Sequence, residues 1–208
     1  MPDIVLYGFD GSTYVRTVKM LLEEKGCQDF KQVQVNVLAG EPHSPEHLER
    51  HPFGKVPVLD WDGTRILETS AITRFLNDKL AGKSLVPASP EDRARMDMAL
   101  GLIDSYGYPA LIGVAGYHLF PDFIGGKNEQ ARQKGIETGR TLLETLIRSR
   151  GHSPFLAGDL SLADLYLAPI LFYVSLTPDK DQVFDVPGLA DWWTRIAALP
   201  SFQRTEPK

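Results

Sequence analysis

The residues best placed to do chemistry fall into two short stretches of the first seventy. In Phe9-Asp-Gly-Ser-Thr-Tyr14, Ser12 lies between an apolar run and a helical pattern. A hydroxyl at a helix N-terminus can hydrogen-bond a developing anion while the helix dipole adds to the field. Tyr7 offers a second hydroxyl five residues earlier, inside the predicted first strand, where it competes with a core role. A plain N-cap is the commoner task for a serine before a helix. The second stretch is His51-Pro-Phe-Gly-Lys-Val-Pro-Val-Leu-Asp60, followed by Leu67-Glu-Thr-Ser-Ala-Ile72. A cis bond between Val56 and Pro57 would present the Val56 main chain to an extended ligand, which could pair with it as a further strand. Glu68-Thr69-Ser70 reads as a helix start, where free N–H groups and the dipole favour a carboxylate. A peptide-like ligand with terminal carboxylates fits both features. The bland alternative is an ordinary cis-proline turn and an ordinary helix cap.

These residues need elements to hold them. Ile4-Val5-Leu6-Tyr7, ended by Gly8, suits a buried strand. Val15, Val18, Leu21 and Leu22 recur at helical spacing up to a stop at Gly26. Residues 30–37 alternate as a second strand, and a crossover of this length implies a parallel pair. Two runs, 56–59 and 65–67, flank Asp62-Gly63 as a hairpin, with Pro57 demanding an edge strand or a cis bond. A helix follows from about residue 69 to 80. The order βαβ then ββα is thioredoxin-like, so residues 1–81 are expected to form an α/β domain. A proline-bearing linker at about 82–88 leads to an all-helical domain over 89–208. Its helices are expected near 90–120, 127–150, 165–176 and 189–199. Gly107, Pro109, Gly113 and Gly116 should bend the first of these.

Bulk properties narrow the class. A net charge of −5 and a pI near 5.5 argue against a nucleic-acid-binding face. No run of about 18 apolar residues is evident, so no membrane-spanning helix is expected. The single cysteine, Cys27, excludes an intrachain disulfide and suits a reducing, cytoplasmic setting. It follows the helix stop with no activating histidine beside it, and reads as a small buried residue. His43, His47 and His51 are spaced by four, but Pro45 starts the helix after His43, so no metal site is expected. Asp164, in Ser161-Leu-Ala-Asp164, reads as a capping-box acid rather than a catalytic one.

The second stretch resembles the hallmark of the soluble glutathione transferases, (N/H)-P-x-G-x-(V/I)-P-x-L followed by E-(S/T)-x-A-I. It is matched by His51 to Leu59 and by Glu68 to Ile72. Phe155-Leu-Ala-Gly158 and Ser161 to Asp164 match the family's second-domain signature, so the likeness spans the chain and is nearest to the phi-like and bacterial branches. The resemblance implies glutathione as co-substrate, no metal, and conjugation to electrophilic, mostly hydrophobic small molecules. It assigns thiol activation to Ser12 with Arg16 supporting, main-chain pairing to Val56 and Pro57, and the γ-glutamyl end to Glu68 and Thr69. Lys55 and His43 are offered for the glycyl carboxylate, His43 standing where phi-like sequences often carry lysine. It also implies a homodimer. The electrophile pocket is expected between the domains, with Phe9, Tyr108, Ile112 and Tyr117 nominated; core packing reads those helix residues equally well. Two rival functions stay open: glutathione-dependent disulfide or peroxide reduction, and a non-catalytic module that kept the fold.

Overall fold

The computed structural model describes residues 2–207. They divide into two compact units, one holding residues up to Ser84 together with Pro200 onward, the other Leu85–Leu199. In the first unit, strand β1 (Ile4–Tyr7) buries Ile4 and Leu6 on one face. Helix α1 (Thr13–Glu24) buries Val15, Val18, Leu21 and Leu22, the residues that carried its helical spacing. Strand β2 (Lys31–Val33) pairs parallel to β1. It is shorter than the expected 30–37 because Asn36 turns the chain: its side-chain oxygen accepts from the N–H groups of Leu38 and Ala39. A 3-10 turn (Glu41–His43) and helix α2 (Pro45–Arg50) lead to the hairpin of β3 (Val58–Trp61) and β4 (Thr64–Leu67). Its two turn residues, Asp62 and Gly63, have φ of 47° and 80°, both left-handed as a two-residue turn of this hand requires. Helix α3 (Thr69–Lys79) closes the motif.

The sheet order is β2-β1-β3-β4, so β3 is central and the edge-strand alternative for Pro57 does not hold. The Val56–Pro57 bond is cis, and Pro57 precedes the first paired residue, Val58, so the ladder needs no donor from it.

The last residues depart from the expected boundary. The sequence pattern puts residues 200–208 in the helical domain, whereas helix α10 (Pro200–Arg204) packs on α1 in the first unit. Arg16 is the anchor: wholly buried, it donates from Nη2 to the Phe202 carbonyl at 2.8 Å and stacks 4.2 Å from that ring.

In the second unit, α4 (Pro90–Leu102) passes through a π-turn (Ile103–Gly107) into α5 (Tyr108–Leu119). The bend expected from Gly107 and Pro109 takes this form, since Pro109 has no N–H to donate and a wider turn relieves its ring. The continuous 30-residue helix is long and apolar enough to cross a membrane, with mean hydropathy 1.2 over its best window, contrary to the sequence expectation. Much of its apolar surface is packed instead: Met96, Ile103, Leu111, Val114 and Ala115 are buried. Helix α6 (Glu129–Arg150) crosses α5 closely through Gly135 and Gly139, where a Cβ would meet Ala110 O at 2.8 Å and Leu111 Cδ2 at 2.4 Å. Helix α7 (Leu162–Ser175) is apolar all round and buried, and α8 (Lys180–Phe184) and α9 (Leu189–Ala197) complete the unit.

Candidate active site

The strand register collects the candidate residues of the first unit. Tyr7 pairs with Val58, Val58 with Leu67, and Tyr7 also with Val33. That row is the last at one end of the sheet. The chain leaves it towards Ser12 after β1 and towards His43 after β2. It enters it from Lys55 and Val56 before β3, and leaves it again at Glu68 and Thr69 after β4. Four separate stretches of sequence therefore emerge at one end of one sheet, the end at which ligands bind in open α/β folds.

Ser12 caps α1 with extended φ and ψ (−79°, 125°), and its Oγ accepts from the Val15 N–H at 3.4 Å. Capping and anion stabilisation are compatible here. The cap uses a lone pair, and the hydroxyl hydrogen remains available to a thiolate. Neighbouring groups are committed: Asp10 pairs with Lys19 at 2.6 Å and accepts from Gln32 at 3.0 Å. The Phe9 ring lies over Gly11, where a Cβ would come within 2.6 Å of it.

Tyr7 is differently employed. Its hydroxyl donates to Asp60 at 3.3 Å, and the Arg50 guanidinium lies 4.6 Å over its ring. Arg65 grips the same carboxylate with two 2.8 Å bonds, which hold Asp60 below the usual carboxylate range. A hydroxyl donating to a fixed carboxylate is a poor donor to a thiolate. Arg16 is buried on Phe202, where it ties α1 to α10.

Val56 immediately precedes the cis-proline and lies two residues before the ladder. Its main-chain N–H and C=O meet no partner among the described residues. The Lys55 side chain is exposed, while its carbonyl accepts from His47 Nε2 at 2.8 Å. The exposed His43 ring packs over Gly54, which has φ of 59° and where a Cβ would sit 2.7 Å from Nδ1. His43 and Lys55 thus lie on one loop cluster. His47 and His51 are both buried and serve local bonds, unlike three ligands on one helix face.

At the start of α3, Glu68 has φ of 68° and ψ of 125°, with its carboxylate 73% exposed and no side chain capping the helix. Helices α1, α4 and α6 each have a side-chain cap, from Ser12, Ser89 and Asn128. The amides at Thr69 and Ser70 are donors that no capping side chain takes up. The strained backbone at Glu68 had no sequence signal, because glutamate avoids that conformation.

In the second unit, Tyr108 and Ile112 are one turn apart on a single face of α5, and burial pushes the Tyr108 hydroxyl up. Tyr117 is not brought to them. Nine residues from Tyr108 is two and a half turns, so it faces the other way. There its ring lies 5.3 Å from the Arg132 guanidinium, within a cluster in which Asp179 joins Arg132 and His118. Asp164 accepts from Leu156 N, Trp192 Nε1 and both donors of Ser161, between 2.8 and 3.0 Å, as a structural cap.

Both stretches of the chain match known proteins. Residues 6–84 match the family model described as glutathione S-transferase, N-terminal domain, and residues 102–200 the corresponding C-terminal domain. The chain is 32% identical over 202 residues to glutathione S-transferase 4 of Zea mays, covering 96% of this chain and 90% of that one. Among solved structures it resembles glutathione transferase F7 from Populus trichocarpa, with TM-score 0.87, 28% identity and 97% of each chain covered. It also resembles glutathione S-transferase I from maize in complex with an atrazine glutathione conjugate, with TM-score 0.83, 29% identity and 98% and 96% of the two chains covered.

Proposed function

Because the chain belongs to the glutathione S-transferase family, we propose that it binds glutathione at this end of the sheet and transfers its thiolate to electrophilic, hydrophobic small molecules. The observation that carries this reading is the uncapped start of α3 beside the unpaired Val56 main chain. The Val56 N–H and C=O would pair with the cysteinyl unit as another strand. The amides of Thr69 and Ser70 would receive the γ-glutamyl carboxylate, and Glu68 its ammonium group. Lys55 and His43 would face the glycyl carboxylate.

A free thiol has a pKa of about 8.5, and each unit of depression requires about 1.4 kcal/mol of preferential thiolate stabilisation. Ser12 supplies it by donating its hydroxyl hydrogen to sulfur, with the α1 dipole behind it. The thiol proton leaves to solvent. The thiolate sulfur then forms a bond to an electrophilic carbon, and the leaving group departs with its electron pair. The maize relative solved with an atrazine conjugate supports an aromatic electrophile. A coupled assay with glutathione and an activated halo-aromatic tests the reading: saturable conjugation is expected, and failure to bind glutathione would defeat it.

The homodimer belongs to the same proposal, as does a cytoplasmic setting for a chain with one free cysteine. Phe53 is 74% exposed and Leu48 is half-exposed, apolar side chains suited to a second copy. Light scattering should give twice the 23.1 kDa chain mass, and Phe53→Ala should weaken the association.

A further inference from the structure

His51 heads the motif of the site, yet no step above uses its imidazole. It is buried, and its Nδ1 accepts from the Phe53 N–H at 3.3 Å. The ring proton is therefore on Nε2, which faces Glu68 Oε1 at 3.9 Å, longer than a hydrogen bond but closed by a small rotation of that exposed carboxylate. Glu68 itself is exposed and has no cap to make, so little else restrains its carboxylate. We propose that His51 is a positioning residue that holds the Glu68 carboxylate for the ammonium group of the bound γ-glutamyl unit. The inference rests on the glutathione-binding reading and adds to it a polarity: the neutral ring is the competent one. A protonated ring would bind the carboxylate itself and would turn a positive charge toward the ligand's ammonium. Burial first, then the charges of His47 and Lys55, lower the pKa of His51, while Glu68 raises it; the net effect keeps the ring neutral near pH 7.

Two substitutions separate the ring's two nitrogens. His51→Asn keeps an acceptor for the Phe53 N–H and removes the group facing Glu68. His51→Gln places a donor near the Nε2 position that cannot titrate. Steady-state kinetics with glutathione and an activated halo-aromatic, from pH 5.5 to 7.5, reads the difference, with thermal unfolding as the folding control. In His51→Asn the KM for glutathione should rise about three- to tenfold at pH 7 with kcat close to wild type. His51→Gln should recover most of that rise. Wild-type KM should also climb as pH falls below the ordinary imidazole value of about 6.5, and both variants should be flat there. An unchanged KM and pH profile in His51→Asn would overturn the inference. So would equal rises in both variants accompanied by equal losses of thermal stability, which would mark a structural role alone. If the wild type itself shows no saturation with glutathione, the functional reading fails instead.

Discussion

Two helices of this protein begin beside an acidic residue, and they begin in opposite ways. At α7, Ser161 and Asp164 close the helix start with a buried box in which the carboxylate accepts four donors, including the indole of Trp192. At α3, Glu68 holds a strained backbone, points its carboxylate to solvent and leaves the first amides uncapped. The first arrangement spends its polar groups on stability. The second leaves them open, as the proposed glutathione site requires, at a cost of about 1–3 kcal/mol in backbone strain.

Substitutions at the two starts should therefore move different quantities. The largest effect is expected from Asp164→Ala, which strands the buried donors of Trp192, Leu156 and Ser161. Urea denaturation should show a loss of about 3–5 kcal/mol, while the folded fraction keeps its KM for glutathione. Ser12→Ala should lower kcat/KM about 100-fold, the scale for removing one donor to a developing anion, with a much smaller change in stability. Glu68→Ala should raise the KM for glutathione about tenfold, equivalent to about 1.4 kcal/mol, with little change in kcat. Glu68→Gly should raise KM similarly yet stabilise the fold by about 1 kcal/mol, because glycine relieves the positive φ. A Glu68→Gly variant that is less stable would break the contrast between the two starts.

The smallest effect concerns the partly exposed Asp60–Arg65 pair. Arg65 lowers the folded-state pKa of Asp60, so this contribution is present above the ordinary carboxylate range and lost as pH falls through it. Arg65→Ala should cost under about 1 kcal/mol at pH 7 and nothing in strong acid. Because it also loosens the carboxylate that occupies the Tyr7 hydroxyl, an unchanged kcat in this variant would sharpen the case for Ser12.

Local chemistry explains which features could be read in advance. β1 and α1 follow from an apolar run, a helical spacing and a glycine stop, and Asp62-Gly63 announces its own turn. β2 is cut short by an Asn36 side-chain bond that an alternating pattern does not record. The placement of α10 depends on the burial of Arg16 against Phe202, a pairing 186 residues apart in sequence. The site motif was legible because four stretches keep recognisable residue types. Their assembly at one sheet end depends on strand register, and the φ of Glu68 on tertiary context. Tyr117 lies on another face from Tyr108 and Ile112 for a simpler reason: its distance along α5 sets its face, and aromatic type alone does not.

Direct titration of the glutathione thiol in its complex, by thiolate absorbance, tests the central claim that Ser12 activates the sulfur. Wild type should carry mostly thiolate near pH 7, and Ser12→Ala should shift the titration up toward the free value of about 8.5. An undiminished thiolate signal in Ser12→Ala at pH 7, with glutathione still bound, would contradict that assignment.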